Sequence, residues 1–417
     1  MDELDFINRE REMDYIIDSY TNYIIIVAPL GYGKSLLINH VAKKLNRKEF
    51  IHIDIKITKD IELKRLKEKL QENIKNIDKK SKLYITLDDI GETKKETIEN
   101  FINNHILKVE AKEVKVVLTT RSMINRLKLD KRFVERKMKA FDFEVIKEAT
   151  RCYLERHTKI ENKNLICKLS YNILYHTGGH PQCVNALLKD IVESGDIEGY
   201  FDNRDRTFSI VEEHSNIIID NLTQKMQRII PILSPIRKFN TQTLRVLIES
   251  GFIKYNIEEV FGLEDELTKT KIIERKDSFL QDNIIRKLLA INLRNNKRKD
   301  YLKIIAKAKE SHRYSIENRL SIFPHILGIE LIFLEIEERL EMGIAGDIAY
   351  IRELFNSTLE LLIREKSMDT KKAKKEVFIE QLKQDVELEC IVNFYISREQ
   401  SEADEDYEKI VKRLEYG

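Results

Sequence analysis

The chain has 417 residues, of which 42% are hydrophobic and 35% are charged. This length and apolar content predict a folded protein of roughly two to four domains. The 73 basic and 71 acidic side chains nearly cancel, which excludes a global field that would draw the protein onto nucleic acid or a membrane. Any such binding would need a local patch.

The cysteines and the apolar segments indicate a reducing, aqueous compartment. Cys152, Cys167, Cys183 and Cys390 show no Cys-x-x-Cys spacing, which argues against structural zinc, and we expect all four to be small core residues. The N-terminus lacks a basic segment followed by an apolar core, and the apolar stretch 326–336 is interrupted by glutamates. We therefore expect a cytoplasmic protein with no membrane partner.

The first predicted strand is followed by a glycine-containing loop. An apolar run at Tyr23–Val27 precedes the sequence Ala-Pro-Leu-Gly-Tyr-Gly-Lys-Ser, and a helical pattern follows at 36–45. This order predicts a strand, a phosphate-binding loop and a helix, although Ala28 stands where the usual pattern has glycine. Lys34 would reach the β- and γ-phosphates, and Ser35 would bind Mg²⁺. The predicted nucleotide contacts in this segment are Ala28, Pro29, Leu30, Gly31, Tyr32, Gly33, Lys34, Ser35 and Leu36.

Three further β-rich runs, at 50–55, 83–87 and 114–118, alternate with helical stretches such as 61–77. This alternation predicts an α/β domain with a parallel sheet. The run at 83–87 ends in Asp88 and Asp89, which would hold Mg²⁺ and orient or deprotonate the attacking water, respectively. A simple Asp-Asp turn that caps the next helix is the alternative.

The fourth run ends in Thr119, Thr120 and Arg121 at the same edge of the predicted sheet. A guanidinium at this edge would sense or stabilise the γ-phosphate. The alternative for Arg121 is an ordinary solvated arginine after a strand.

Together with Phe6-Ile-Asn-Arg9-Glu-Arg-Glu12, these motifs resemble the STAND class of signal-transduction NTPases, an NB-ARC-like branch of the AAA+-related P-loop ATPases. That class characteristically has the loop form Ala-Pro-x-Gly-x-Gly-Lys, so the class shares the alanine at position 28. The resemblance implies that ATP or ADP binds with Mg²⁺ and that Arg9 lies beside the adenine. It covers about residues 6–294.

Two later segments extend the resemblance. In Gly178-Gly179-His180-Pro181, the glycines end the helical pattern 165–175 and the proline starts another helix. The resemblance implies that Pro181 packs near the adenine, and helix capping alone is the alternative.

Residues 221–294 resemble a winged helix, with Asn240 capping a helix at 241–249, a two-stranded wing at 271–280 and a final helix at 283–294. At the start of that last helix the class often has a histidine that senses the β-phosphate of ADP. This chain has Gln281, which can donate a hydrogen bond but cannot become cationic.

The remaining sequence, from residue 301, is helical in pattern and includes a long segment at 371–395. We expect it to mediate self-association or to bind a protein partner. Basic runs at 121–139 and 294–303 would neutralise DNA phosphates, with a solvated face as the favoured alternative.

These patterns predict four domains: a P-loop domain at 1–145, a helical lid at 146–218, a winged helix at 219–299 and an all-α region at 300–417. The predicted function is a slow ATPase that acts as a STAND-type molecular switch in signalling or defence. The alternative is a DNA-associated AAA+ ATPase of the origin-recognition kind, whose winged helix would bind duplex DNA.

Overall fold

A computed structural model describes residues 9–29, 31–57, 61–90, 94–120, 129–202, 208–220, 222–270, 273–276, 279–282, 284–344, 346–364, 368–397 and 406–416. Phe6, Leu30 and Arg121, which the sequence singled out, lie outside these residues. The chain forms two compact units. The first comprises Met1–Phe141 and His180–Asn185, and the second comprises Asp142–Gly179 and Ala186–Gly417.

The first unit is built on a five-stranded sheet whose neighbouring strands are all parallel, which confirms the predicted fold class. The order across the sheet is β2-β3-β4-β1-β5. The strands are β1 (Tyr23–Val27), β2 (Phe50–Lys56), β3 (Lys82–Asp88), β4 (Glu113–Thr120) and β5 (Val134–Lys137). The sequence did not predict β5, because its four residues are all exposed and lie in a stretch with a basic rather than an alternating pattern.

Four helices accompany this sheet: α1 (Glu10–Asp18), α2 (Lys34–Asn46), α3 (Leu63–Ile74) and α4 (Lys95–Asn104). The stripe predicted for α3 is buried at Leu66 and Leu70, where it joins the sheet's core. Lys115 of β4 is also buried, and its ammonium donates to the carbonyls of Ile16 (2.6 Å) and Ile17 (2.8 Å) at the end of α1. This contact satisfies carbonyl groups that a helix end leaves unpaired, so it fixes α1 against the sheet.

The next helices are α5 (Phe143–His157), α6 (Lys163–Thr177), α7 (Pro181–Ser194) and α8 (Phe208–Asp220). As the glycine and proline pattern predicts, α6 ends at Gly178 and α7 begins at Pro181. The first residues of α7 belong to the first compact unit and the rest of that helix belongs to the second. Of the four cysteines predicted to be core residues, only Cys183 is buried, and the other three are half-buried.

The segment predicted as a winged helix contains α9 (Gln224–Leu233), β6 (Lys238–Phe239), α10 (Thr241–Glu249), α11 (Val260–Lys269), β7 (Ile273–Lys276), β8 (Phe279–Asp282) and α12 (Ile284–Asn296). Its three strands form an antiparallel sheet in the order β6-β8-β7. Asn240 caps α10 by accepting a hydrogen bond from the amide of Thr243 at 3.0 Å, as its sequence position predicts. Gln281, expected at the start of a helix, instead pairs in β8 opposite Lys238 and Glu274.

In the described residues from 298 onward, the helices are α13 (Arg298–Glu317), α14 (Pro324–Met342), α15 (Ile348–Leu362), α16 (Met368–Gln384), α17 (Val386–Ser397) and α18 (Tyr407–Tyr416). The predicted single segment at 371–395 is wrong: Asp385 interrupts it and caps α17 by accepting from the amide of Leu388 at 3.0 Å. These helices share one hydrophobic core with α9–α12. Among the described residues, no helix is long and apolar enough to cross a membrane.

Buried charges hold this second unit together. Glu330, which interrupts the apolar pattern of α14, is fully buried and accepts hydrogen bonds from the backbone amide (2.7 Å) and the Nε (2.9 Å) of Arg237. Arg294 was placed in a surface basic run by the sequence, but it is buried, lies 3.9 Å over the ring of Tyr175 and pairs with Glu341 at 3.4 Å. That part of the basic run is therefore structural.

Candidate nucleotide-binding site

Two glycines of the loop between β1 and α2 have left-handed backbone conformations. Gly31 and Gly33 both have φ of 79°, a left-handed conformation that glycine adopts without a Cβ penalty. Gly33 precedes α2 and, having no side chain, does not cap the amides at the helix start, which is where an anion binds in such loops. The amide of Ala28 instead donates to Thr120 at 3.1 Å and continues the sheet pairing, which explains why this position does not require glycine.

Side chains of the loop are partly withdrawn from solvent. Lys34 is buried, and its ammonium donates to the carbonyls of Ala28 (2.7 Å) and Pro29 (3.0 Å) within the same loop. Ser35 is exposed, Leu36 is half-buried, and Tyr32 is 1% exposed. Burial raises the pKa of Tyr32 above its ordinary value, against a lowering influence from the charge of Arg9.

At the carboxyl edge of the sheet, the acidic pair meets the end of the loop. The carboxylate of Asp88 accepts from the hydroxyl of Ser35 at 2.6 Å and also from the hydroxyl of Thr119. The amide of Asp89 donates to the Thr119 hydroxyl at 2.8 Å, and Asp89 has φ of 61°, so the chain turns sharply directly after β3. The Thr119 hydroxyl of β4 thus joins Asp88 to Asp89, and Ser35 joins the group through its own bond to Asp88.

Thr119 is a site residue that the sequence analysis did not assign. In the strand end Thr119-Thr120-Arg121, the sequence predicts a phosphate contact for Arg121, because a guanidinium has a known affinity for phosphate. The signal for Thr119 is its position, since a hydroxyl at the end of a strand beside the acidic strand can reach the carboxylate. Arg121 itself lies beyond the described residues.

Arg9 is buried in the first unit, directly before α1. Its guanidinium donates to Glu12 at 3.1 Å and to the carbonyl of Lys139 at 3.0 Å, and it lies 4.8 Å from the centre of the Phe141 ring. Burial lowers the pKa of Arg9 below its ordinary value, while the carboxylate of Glu12 raises it. The buried Nε of Arg9 and the hydroxyl of Tyr32 have no hydrogen-bond partner among the residues that the structure describes.

A second unassigned residue, His180, packs on the loop. Its ring lies edge-on to Tyr32, with 5.2 Å between ring centres, and its Cε1 lies 2.4 Å from where a Cβ on Gly31 would stand. The sequence marked this segment only for its glycines and for Pro181, which is the buried first residue of α7. Gln281 belongs to the second unit, and the structure describes its backbone but not its side chain.

The sequence of residues 24–144 matches the family "ATPase family associated with various cellular activities (AAA)". This part of the chain is similar to an AAA ATPase domain. The matched range contains the phosphate-binding loop, the acidic pair, strands β2–β5 and all but the first residue of β1, so it includes most of the candidate site.

Several solved structures are similar to the chain, although their sequence identity to it is low. Cdc6p from Pyrobaculum aerophilum is 11% identical, with 70% of this chain and 94% of that chain covered and a TM-score of 0.35. The Thermotoga maritima RuvB Holliday junction branch migration motor is 12% identical. The match covers 67% of this chain and 93% of the RuvB chain, with a TM-score of 0.37. Domain III of the Thermotoga maritima replication initiation protein DnaA is 13% identical. The match covers 46% of this chain and 89% of the DnaA domain, with a TM-score of 0.31. No curated protein matches the chain.

Proposed function

We propose that the protein is an ATP-dependent molecular switch that binds ATP or ADP with Mg²⁺ in its AAA domain. The observation that carries this proposal is the hydrogen bond between Ser35, at the end of the phosphate-binding loop, and Asp88, at the end of β3. A hydroxyl and a carboxylate in contact are the oxygen donors that Mg²⁺ prefers. The adjoining loop supplies the amides and the lysine that would complement phosphate.

In this proposal each residue has a distinct task. Lys34 and the loop amides hold the phosphates, while Ser35 and Asp88 hold Mg²⁺, whose charge would offset that of the phosphates when bound. Asp89 orients or deprotonates the attacking water. Among the described residues, the buried Nε of Arg9 and the hydroxyl of Tyr32 have no hydrogen-bond partner, and a nucleotide that binds against them would supply one, which supports the family-derived role of Arg9 beside the adenine.

The switch requires contacts that exist in only one nucleotide state, because a ligand shifts an equilibrium only through differential affinity. Arg121 and the module α9–α12 are the proposed holders of such contacts. The order helix, strand, helix, helix, strand, strand in that module supports its assignment as a winged helix. The resemblance to STAND proteins supports slow hydrolysis and a signalling or defence output.

Light scattering after size exclusion tests the switch in wild type and Lys34→Ala with ADP, with a non-hydrolysable ATP analogue and with neither. We expect a nucleotide-dependent change of mass or shape in wild type and none in Lys34→Ala. Lys43→Ala is the matched control, since Lys43 is an exposed residue of the same helix and lies outside the loop. Unchanged ATP affinity in Lys34→Ala would contradict the site.

Duplex DNA is the second candidate ligand, and the exposed basic residues around β5 favour it. Lys131, Lys137 and Lys139 are exposed there. Two neighbouring guanidiniums have structural contacts instead, since Arg132 pairs with Asp130 at 2.9 Å and Arg136 lies 4.9 Å from the ring centre of Tyr15.

Fluorescence anisotropy with duplex DNA at about 50 and about 200 mM salt tests this alternative. Tight binding that weakens steeply with salt and is lost in Lys131→Glu/Lys137→Glu would favour DNA. Absence of binding at the lower salt concentration would leave the switch as the proposal.

A further inference from the structure

We propose that His180 is a positioning residue that holds the phosphate-binding loop in its nucleotide-competent conformation. This inference rests on the proposed function, because it deepens the role of the same loop. His180 directly precedes α7 and is distant in sequence from the loop, yet both belong to the first compact unit. The imidazole acts on the loop by packing and does not itself touch the reacting atoms.

The His180 ring lies close to two residues of the loop, Gly31 and Tyr32. A Cβ placed on Gly31 would lie 2.4 Å from the ring Cε1 and 2.9 Å from the ring Nε2 of His180, both shorter than van der Waals contact allows. The same ring meets Tyr32 edge-on, at an interplanar angle of 86°. His180 is 4% exposed and Tyr32 is 1% exposed, so both rings are buried where they meet.

The other side of the imidazole caps α7. Its Nδ1 accepts a hydrogen bond from the amide of Cys183 at 3.4 Å, in the manner of a residue that caps a helix start. When Nδ1 accepts, the proton of the neutral ring resides on Nε2, which is the nitrogen that faces Gly31. His180 therefore contacts both the start of α7 and the phosphate-binding loop through one ring.

Such a support matters because the loop is glycine-rich. Glycine loses more backbone freedom on ordering than any other residue, and a loop that is ordered before the ligand arrives binds more tightly. Releasing the backbone of one residue corresponds to on the order of a tenfold loss of affinity. Loss of the ring should therefore weaken binding of ligands that contact the loop through phosphates.

The first experiment separates packing from capping. Asn is a preferred helix-capping residue, so His180→Asn keeps an acceptor for the Cys183 amide and removes the ring. We expect it to remain folded with a somewhat lower thermal midpoint, because the smaller side chain leaves a cavity, to bind ATP and ADP about tenfold more weakly, and to bind adenosine, measured by competition, as wild type does. Unchanged ATP affinity, or an equal loss for all three ligands, would overturn the inference.

A second experiment uses the two loop glycines as a matched pair. Both have φ of 79°, but a Cβ on Gly33 would meet nothing within 4 Å, whereas one on Gly31 would collide with the His180 ring and would lie 2.8 Å from the Gln182 Oε1, which is the end of a flexible side chain and can move aside. Gly31→Ala should bind ATP more tightly in a His180→Ala background than alone, while Gly33→Ala should not be rescued. Rescue of both glycine variants, or of neither, would contradict the packing role.

Failure of the proposed function gives a different pattern. If wild type itself does not bind ATP, the switch and the inference both fall. If wild type binds ATP, Lys34→Ala does not, and His180→Asn binds like wild type, the nucleotide site stands and only the role of His180 is refuted.

Discussion

At the scale of single residues, Thr119 connects parts of the candidate site that are distant from it in sequence. Thr119 contacts both members of the acidic pair, donating to Asp88 and accepting from the amide of Asp89 at 2.8 Å. A positioned carboxylate depends on such bonds, because a misplacement of about 1 Å can cost a large factor in rate. The hydroxyl of Thr119 therefore has a functional role if the site hydrolyses ATP.

We expect Thr119→Val to reduce ATP hydrolysis by about one order of magnitude or more, because the carboxylate of Asp88 and the turn at Asp89 lose their shared partner. The measurement is phosphate release at saturating ATP. Thr119→Ser keeps the hydroxyl and serves as the control. Equal turnover in wild type and Thr119→Val would exclude this role.

His312 of α13 is a buried titratable residue of the second unit. Burial lowers its pKa to about 3, and its Nδ1 lies 3.4 Å from the hydroxyl of Thr243 in α10. In the unfolded chain its pKa is about 6.5, so the unfolded state takes up the proton first as pH falls. The neutral ring therefore contributes stability above about pH 6.5, and this contribution is lost progressively between about pH 6.5 and pH 3.

We expect acidification from about pH 7 to about pH 5 to lower the free energy of unfolding by about 2 kcal/mol through His312. Urea unfolding at several pH values measures this dependence. His312→Asn should have a flatter pH dependence, whatever its absolute stability. A slope identical to that of wild type would show that other groups cause the acid sensitivity.

At the scale of elements, buried ion pairs attach β6 and α12 to the C-terminal helices. Arg237 pairs with Glu330 of α14 at 2.9 Å and with Asp385 at 2.8 Å, and Arg286 of α12 pairs with Glu387 of α17 at 2.6 Å. Burial raises the pKa of Glu330, while the charge of Arg237 lowers it. Removing one partner from such a pair leaves the other charge buried and uncompensated.

We expect Glu330→Gln to lower the free energy of unfolding by about 3 kcal/mol, because the buried Arg237 loses one of its two carboxylate partners. Denaturant unfolding measures this loss. Glu310→Gln removes an exposed pair with Lys307 and should change stability by less than about 0.5 kcal/mol. Similar small losses at Glu330 and Glu310 would contradict the energetic importance of burial.

At the scale of the whole molecule, the helices from residue 298 onward complete the core of the second unit. Tyr301, Leu334, Phe378 and Tyr407 belong to the same buried cluster as Leu244 of α10. The predicted winged helix and the predicted C-terminal region therefore depend on each other for burial. Removing one would expose a large apolar surface of the other.

A chain that ends at Lys297 should consequently lose cooperative unfolding of its second unit. Thermal unfolding followed by circular dichroism, together with solubility, measures the effect. The matched comparison is a chain that ends at Ser397, which lacks only α18 and should lose less stability. Cooperative unfolding of the shorter chain would show that the module α9–α12 is autonomous.

Local sequence patterns were sufficient to predict the elements that depend on one short segment of the chain. The strand before the loop, the helix after it, Asn240 as a cap and the helix boundary at Gly178 depend on residues within a few positions of each other. The acidic end of β3 was predictable for the same reason, since parallel strands deliver their carboxyl ends to one edge. The fold class followed from the repetition of such segments.

Long-range contacts determined the rest. The exposed strand β5 exists because β1 offers it a parallel edge, His180 meets Gly31 through the fold of the first unit, and Glu330 finds Arg237 from a distant helix. None of these contacts has a periodic or compositional signature, because burial of a polar side chain is favourable only when a partner arrives from elsewhere in the chain. The sequence by itself thus determined four of the five parallel strands and the phosphate-binding loop between β1 and α2, whereas tertiary structure decided where β5 pairs, which side chains support that loop and which charges are buried.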